Sequence, residues 1–197
     1  MIIILDYGMG NLRSVEKAVQ ALGFECRIEP KLSGAEKIII PGVGAFGAAM
    51  ERIRPVGDEI RSAASDGIPI LGICLGQQLL FESSEENGEH EGLGLLKGRV
   101  RYLPAKPGLK IPHMGWNDLT FVQPHGLGDG FQAGGQVYFV HSLYTDCTEP
   151  GDVAATTEYG IVFPSAVQHG RIWGTQFHPE KSGPVGLRML RNFLCQE

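Results

Sequence analysis

Two short stretches, far apart in the chain, carry residue types that together could cleave an amide. One is Ile70-Leu71-Gly72-Ile73-Cys74-Leu75-Gly76-Gln77-Gln78, a cysteine at the end of an apolar run with a glycine two residues to either side. The other is Trp173-Gly174-Thr175-Gln176-Phe177-His178-Pro179-Glu180, where a proline separates a histidine from a glutamate. A thiolate attacks an acyl carbon, an imidazole takes and returns the proton, and a carboxylate holds that imidazole in one tautomer. Cys74, His178 and Glu180 are therefore the candidate catalytic residues.

Each of these groups needs a particular setting. A cysteine on a sharp strand-to-helix turn sits in a strained backbone conformation, tolerable only where neighbours leave clearance, and its side chain projects above the sheet. A helix starting at Leu75 would aim free N–H groups and its positive end at the sulfur, favouring the thiolate. Pro179 biases His178 toward extended backbone, in which side chains two apart project the same way, so Glu180 should reach one ring nitrogen while the other faces the sulfur. The tetrahedral oxyanion of amide hydrolysis also needs backbone donors. Pro41-Gly42-Val43-Gly44 offers one donor strand, with glycines that permit a peptide flip, and the Leu75 N–H offers a second. Cys26, Cys147 and Cys195 lack such a setting and read as small buried hydrophobes.

The elements that must position these groups follow from periodicity. Ile2 to Leu5 is a strand, the glycine-bearing turn from Asp6 to Gly10 follows, and Leu12, Val15, Val19 and Leu22 fall at helical spacing. Phe24 to Ile28 and Lys37 to Ile40 read as strands, Pro41 to Gly44 as a break, and about Phe46 to Ala64 as helix. Ile68 to Ile73 is a fourth strand and Leu75 to Phe81 a helix. From about Leu95 short strands take over, at Gly98 to Leu103, Val137 to His141, Val153 to Thr157, Ile161 to Gln168 and Arg171 to Gln176, expected to extend the same sheet in mixed or antiparallel fashion. A terminal helix covers Val185 to Leu194. The pattern predicts an α/β fold of three layers, a largely parallel mixed sheet with helices on both faces.

At 197 residues, with no internal repeat or linker, one domain spanning 1–197 is expected. A formal net charge of −5 without a Lys/Arg run gives no footprint for nucleic acid. No apolar run approaches membrane-spanning length and the start lacks signal-peptide character, so the expected location is the cytoplasm. The four cysteines form no CxxC pair and no zinc-like cluster, so no metal and no cofactor is signalled.

With these elements in order, the chain resembles the class I glutamine amidotransferases, of flavodoxin-like fold. Their pattern is an oxyanion loop, a G-x-C-x-G-x-Q turn and a late H-P-E. Within that class it is similar to the glutaminase subunits of imidazole glycerol phosphate synthases. Tyr7-Gly8-Met9-Gly10-Asn11, Pro41 to Phe46, Pro112-His113-Met114-Gly115-Trp116-Asn117, Tyr138 to Ser142 and Thr175 to Ser182 carry that likeness. The resemblance implies glutamine as substrate and Cys74, His178 and Glu180 as its triad. It assigns Gly42, Val43, Gly44, Leu75, Gln78, Ser142 and Leu143 to glutamine or its oxyanion. Relatives usually carry tyrosine after His-Ser, whereas this chain has Leu143, which puts a side-chain role at that position in doubt.

The resemblance further implies a heterodimer with a (β/α)8 cyclase subunit. That partner would use the ammonia to make imidazole glycerol phosphate and aminoimidazole carboxamide ribonucleotide in histidine biosynthesis. Trp116, Asn117, Tyr138 and Lys181 are the expected partner contacts, against the alternative that Trp116 and Tyr138 are half-buried packing residues. A glutaminase serving a chorismate-using synthase would keep the triad and lose Pro112 to Asn117. A cysteine hydrolase or chaperone on a related fold would not need Gln78 and His141-Ser142, and a non-enzymatic binding module would lack a triad member.

Overall fold

The computed structural model describes residues 1–122, 126–131 and 134–196. The first half alternates strands and helices: β1 (Ile2–Leu5), α1 (Leu12–Ala21), β2 (Cys26–Glu29), β3 (Lys37–Gly42), α2 (Phe46–Ile53), α3 (Gly57–Ser65), β4 (Ile70–Cys74) and α4 (Leu75–Leu79). The second half is mainly strand: β5 (Phe81–Ser84), β6 (His90–Glu91), β7 (Leu96–Tyr102), β8 (His113–Asp118), β9 (Thr120–Phe121), β10 (Gln136–His141), β11 (Leu143–Cys147), β12 (Val153–Glu158), β13 (Val162–His169) and β14 (Ile172–Thr175). Helix α5 (Gly183–Leu194) follows.

Among the described residues the main sheet has eight strands in the order β2-β1-β3-β4-β14-β13-β12-β9. It is parallel from β2 to β14 and antiparallel from β14 to β9. Strand residues alternate between two cores, as a pleat requires. Ile2, Ile4, Ile39, Leu71 and Ile73 join the cluster that includes Val15 and Val19 of α1 and Met189, Leu190 and Phe193 of α5. Ile3, Leu5, Ile38, Ile40 and Ile70 turn the other way, toward Phe46, Met50 and Ile53 of α2, Ile60 of α3 and Leu79 of α4. The apolar runs of β1, β3 and β4 are buried on both faces because helices cover both.

Three expectations are corrected. The stretch from Phe46 to Ala64 is not one helix: a 3-10 turn at Arg54–Val56 divides α2 from α3. Pro55 lacks the N–H and would clash with the preceding turn of a continuous helix. Pro41 and Gly42 do not end the third strand but remain in register with Ile73 and Cys74. The second half extends the main sheet only through β9, β12, β13 and β14. Strand β10 instead pairs with β8 in a two-stranded ribbon, and β7 belongs to a separate four-stranded sheet, β11-β7-β5-β6. Leu96 and Val100 of β7, with Phe81 and Leu143, bury against the α2–α4 side of the molecule, so these strands lie over a face rather than at an edge.

Candidate active site

Cys74 is the last residue of β4 and precedes α4, with φ 56° and ψ −112°. This left-handed conformation costs an L-residue on the order of 1–2 kcal/mol and survives only where the surroundings enforce it. They do so through close backbone packing. A Cβ on Gly76 would stand 1.7 Å from the Ile40 carbonyl oxygen, and one on Gly72 would stand 2.6 Å from the Gln77 nitrogen. The flanking glycines are thus required by the approach of α4 to β3 and β4.

His178 has extended backbone, φ −99° and ψ 98°. Glu180 reaches it differently from expectation, because Pro179–Lys181 form a 3-10 turn that curls the carboxylate back to the ring. Nδ1 of His178 and Oε1 of Glu180 are 2.9 Å apart, and the two side chains are only 2% and 1% exposed. Burial pushes the imidazole pKa down, but Cys74 and Glu180 raise it by more, leaving it at about 9. Nε2, the nitrogen left for the sulfur, has no formed hydrogen bond. Cys74 is nevertheless its neighbour, since the sulfur is among the groups that raise the ring.

Cys74 and His178 open on a cleft of ≈ 330 Å³ whose walls include Val43, Gly44, Leu75, Gln78, Ser142 and Leu143. Gly42 lies beneath it, where a Cβ would meet the Gly76 nitrogen and the Tyr7 hydroxyl at 2.7 Å. Gly44 has φ 109°, which a side chain would strain. The segment between them is held at its ends. The Tyr7 hydroxyl donates to the Pro41 carbonyl at 2.8 Å, and the Phe46 N–H donates to the Glu86 carboxylate at 2.5 Å. Burial, and secondarily Cys74, raise the Tyr7 pKa far above its usual value, keeping the phenol a donor.

The Gln78 amide is committed within the wall, donating to the Leu143 carbonyl at 3.3 Å and to Oε1 of Gln176 at 3.0 Å. Gln176 in turn directs its Nε2 at the Cys74 sulfur, 3.8 Å away. Gln176, Tyr7 and Glu86 were not singled out from the sequence as site residues. The only signal for Gln176 was its place two residues before His178.

Trp116 is 55% exposed and meets Tyr138 edge to face, with ring centroids 6.2 Å apart. Lys181 is also exposed, while Asn117 turns its amide inward to the Glu158 carbonyl at 3.0 Å and to His113 at 3.2 Å. The remaining cysteines depart from the expectation of burial: Cys26 and Cys147 are half-buried and Cys195 is exposed, all with free thiols. Their strands and helix end present these positions at the periphery. Among the described residues no helix is long and apolar enough to cross a membrane.

Comparison with known proteins places this geometry in a family. The family model "Glutamine amidotransferase class-I" matches residues 3–196. The chain is 49% identical over 197 residues to "Imidazole glycerol phosphate synthase subunit HisH" of Moorella thermoacetica, covering 98% of this chain and 93% of that protein. It is 50% identical over 201 residues to the subunit of the same name from Sulfurimonas denitrificans, covering 98% and 97%. Among solved structures it is similar to "Structure of PurLQS from Thermotoga maritima", with TM-score 0.76, 22% identity and coverage of 98% and 96%, a likeness of fold. The chain belongs to the class I glutamine amidotransferases, in the branch of the imidazole glycerol phosphate synthase HisH subunits.

Proposed function

We propose that this protein, as a single amidotransferase domain, hydrolyses glutamine to glutamate and ammonia. Cys74 attacks the side-chain carbonyl carbon of glutamine, and the C=O electrons move to an oxyanion received by backbone donors near Gly42, Val43, Gly44 and Leu75. His178, protonated at neutral pH with its pKa at about 9, gives its proton to the leaving nitrogen as the C–N bond breaks. Ammonia departs and a thioester remains. Water then attacks the thioester carbon, His178 takes its proton, and the C–S bond breaks, releasing glutamate and returning Cys74 as the thiolate beside a protonated His178. The observation that carries this reading is a left-handed Cys74 above a strand end, beside a buried His178–Glu180 pair.

The ammonia is delivered to a cyclase subunit with a (β/α)8 barrel, docked on the face that bears Trp116, Tyr138 and Lys181. The nearly half-identical HisH relatives and the presence of the Pro112 to Asn117 segment support this. The segment Pro41-Gly42-Val43-Gly44 is the switched element, its peptide turning to complete the oxyanion hole when the partner is loaded. The same reading puts the reaction in the cytoplasm.

Cys74→Ala should abolish glutamine-dependent synthesis by the reconstituted complex while leaving synthesis from free ammonia intact. Glutamine-driven turnover surviving in that variant would remove Cys74 from the mechanism. Stimulation by a chorismate-using subunit, and not by the cyclase with its nucleotide, would reassign the partner.

A further inference from the structure

Two buried histidines outside the triad connect the exposed ribbon to the glutamine cleft. His113 is 3% exposed and His141 is 6% exposed. His141 Nδ1 lies 2.6 Å from the Leu143 carbonyl, which can only accept, so that nitrogen carries the proton. Burial above all drives the His141 pKa down to about 3 and that of His113 to about 4, so both rings are neutral. His141 Nε2 is then an acceptor, and it takes its hydrogen from His113 Nδ1, 2.9 Å away. His113 Nε2 accepts in its turn from the Asn117 amide at 3.2 Å. The orientation of that amide is fixed, since its oxygen accepts from the Asp118 N–H at 2.8 Å.

All donors in this row therefore point the same way, from Asn117 to the Leu143 carbonyl. The far end is not inert. The same carbonyl accepts from Gln78, which bonds Gln176, which faces the Cys74 sulfur. The near end lies on β8, which exposes Met114 and Trp116. The His113 ring is clamped between Phe139 and Tyr159, with centroids at 4.6 and 3.9 Å. Two imidazoles serving only to fill a core would be replaceable by apolar rings at little cost. Here their hydrogen bonds polarise one another and set the direction of a carbonyl in the cleft wall.

We infer that His113 and His141 are positioning residues, a one-directional relay that holds the Leu143 wall for glutamine and ties it to the ribbon facing the partner. This rests on the glutaminase reading above. His113→Phe keeps the ring between its two aromatic neighbours and removes both nitrogens, whereas His113→Asn restores a donor near the Nδ1 position. In the complex with the cyclase and its nucleotide, the Phe variant should raise the glutamine KM about tenfold with kcat changed far less, about one hydrogen bond's worth. The Asn variant should recover most of that loss. A Phe variant with the parent's KM, or an Asn variant no better than Phe, would overturn the relay.

A second measurement needs neither partner nor substrate. Long-range proton–nitrogen spectra of the unaltered protein at neutral pH should give both rings as the neutral Nδ1–H tautomer. An Nε2–H tautomer or an imidazolium at either ring would overturn the relay even if the variants misfold. Should the parent hydrolyse no glutamine with its partner, the functional reading fails on that result, and the tautomers alone decide the relay.

Discussion

His178 sits between opposing influences: burial favours the neutral ring, and the sulfur and carboxylate on either side favour the charged one. The latter prevail, so removing either should bring the ring back toward neutrality. In nuclear magnetic resonance titrations the His178 midpoint, at about 9 in the parent, should fall in Cys74→Ala and in Glu180→Gln. An unmoved midpoint would show that neither neighbour sets it. The sign for stability follows. A raised pKa stabilises the fold fully below 6.5, and that contribution is lost as pH climbs through about 9. For His141 and His113, lowered to about 3 and about 4, stability is lost as pH falls from 6.5 toward those values. The three imidazoles together place their best combined effect near pH 6.5, which thermal unfolding across pH 4 to 9 would test.

That Cys74, His178 and Glu180 would share one site was legible in their local spacing: glycines around one cysteine, and a proline between a histidine and a glutamate. Gln176, Tyr7 and Glu86 could not. Gln176 meets Cys74 across 102 residues, Tyr7 meets Pro41 across 34, and Glu86 meets Phe46 across 40. Only the folded register brings such pairs together.

At the scale of elements, the crossing of α4 over β3 is the tightest constraint. Gly76→Ala would drive a methyl into the Ile40 carbonyl, with no flexible side chain to yield. The expected cost is at least about 3 kcal/mol, above the ordinary range for one methyl, measurable as a large fall in the denaturation midpoint or as failure to fold. A fully stable Gly76→Ala protein would show that this crossing is looser than described. The doubly wound half was legible because its apolar periods are clean. Strands β5, β8 and β11 were not, because their buried positions include polar or small residues. Ser84 in β5, His113 in β8 and Thr145 in β11 face inward, while Met114 and Trp116 face out. Their pattern breaks the alternation of apolar and polar residues by which a strand is recognised.

For the whole molecule, the exposed Trp116 is the feature that folding alone leaves unexplained. Burial of such a side chain at an interface is often worth about 1 kcal/mol or more, so Trp116→Ala should weaken binding of the proposed cyclase partner by about fivefold or more. Its effect on the free protein's melting temperature should be slight, since the ring is mostly in solvent. Equal loss of affinity and stability would make Trp116 a packing residue after all.

The β8–β10 ribbon shares no strand ladder with the main sheet among the described residues. It is moored by other means, including the pairing of the Tyr138 carbonyl with the His178 N–H at 3.1 Å and of the Tyr138 N–H with the Ser182 hydroxyl at 3.0 Å. A two-stranded ribbon is marginal by itself. Its amides should therefore trade hydrogen for deuterium well before those of β3 and β4, through an opening smaller than global unfolding. Partner binding should slow that exchange selectively. Uniform protection across ribbon and sheet would instead mean that the two open together, and that His178 is anchored to a support as firm as the sheet itself.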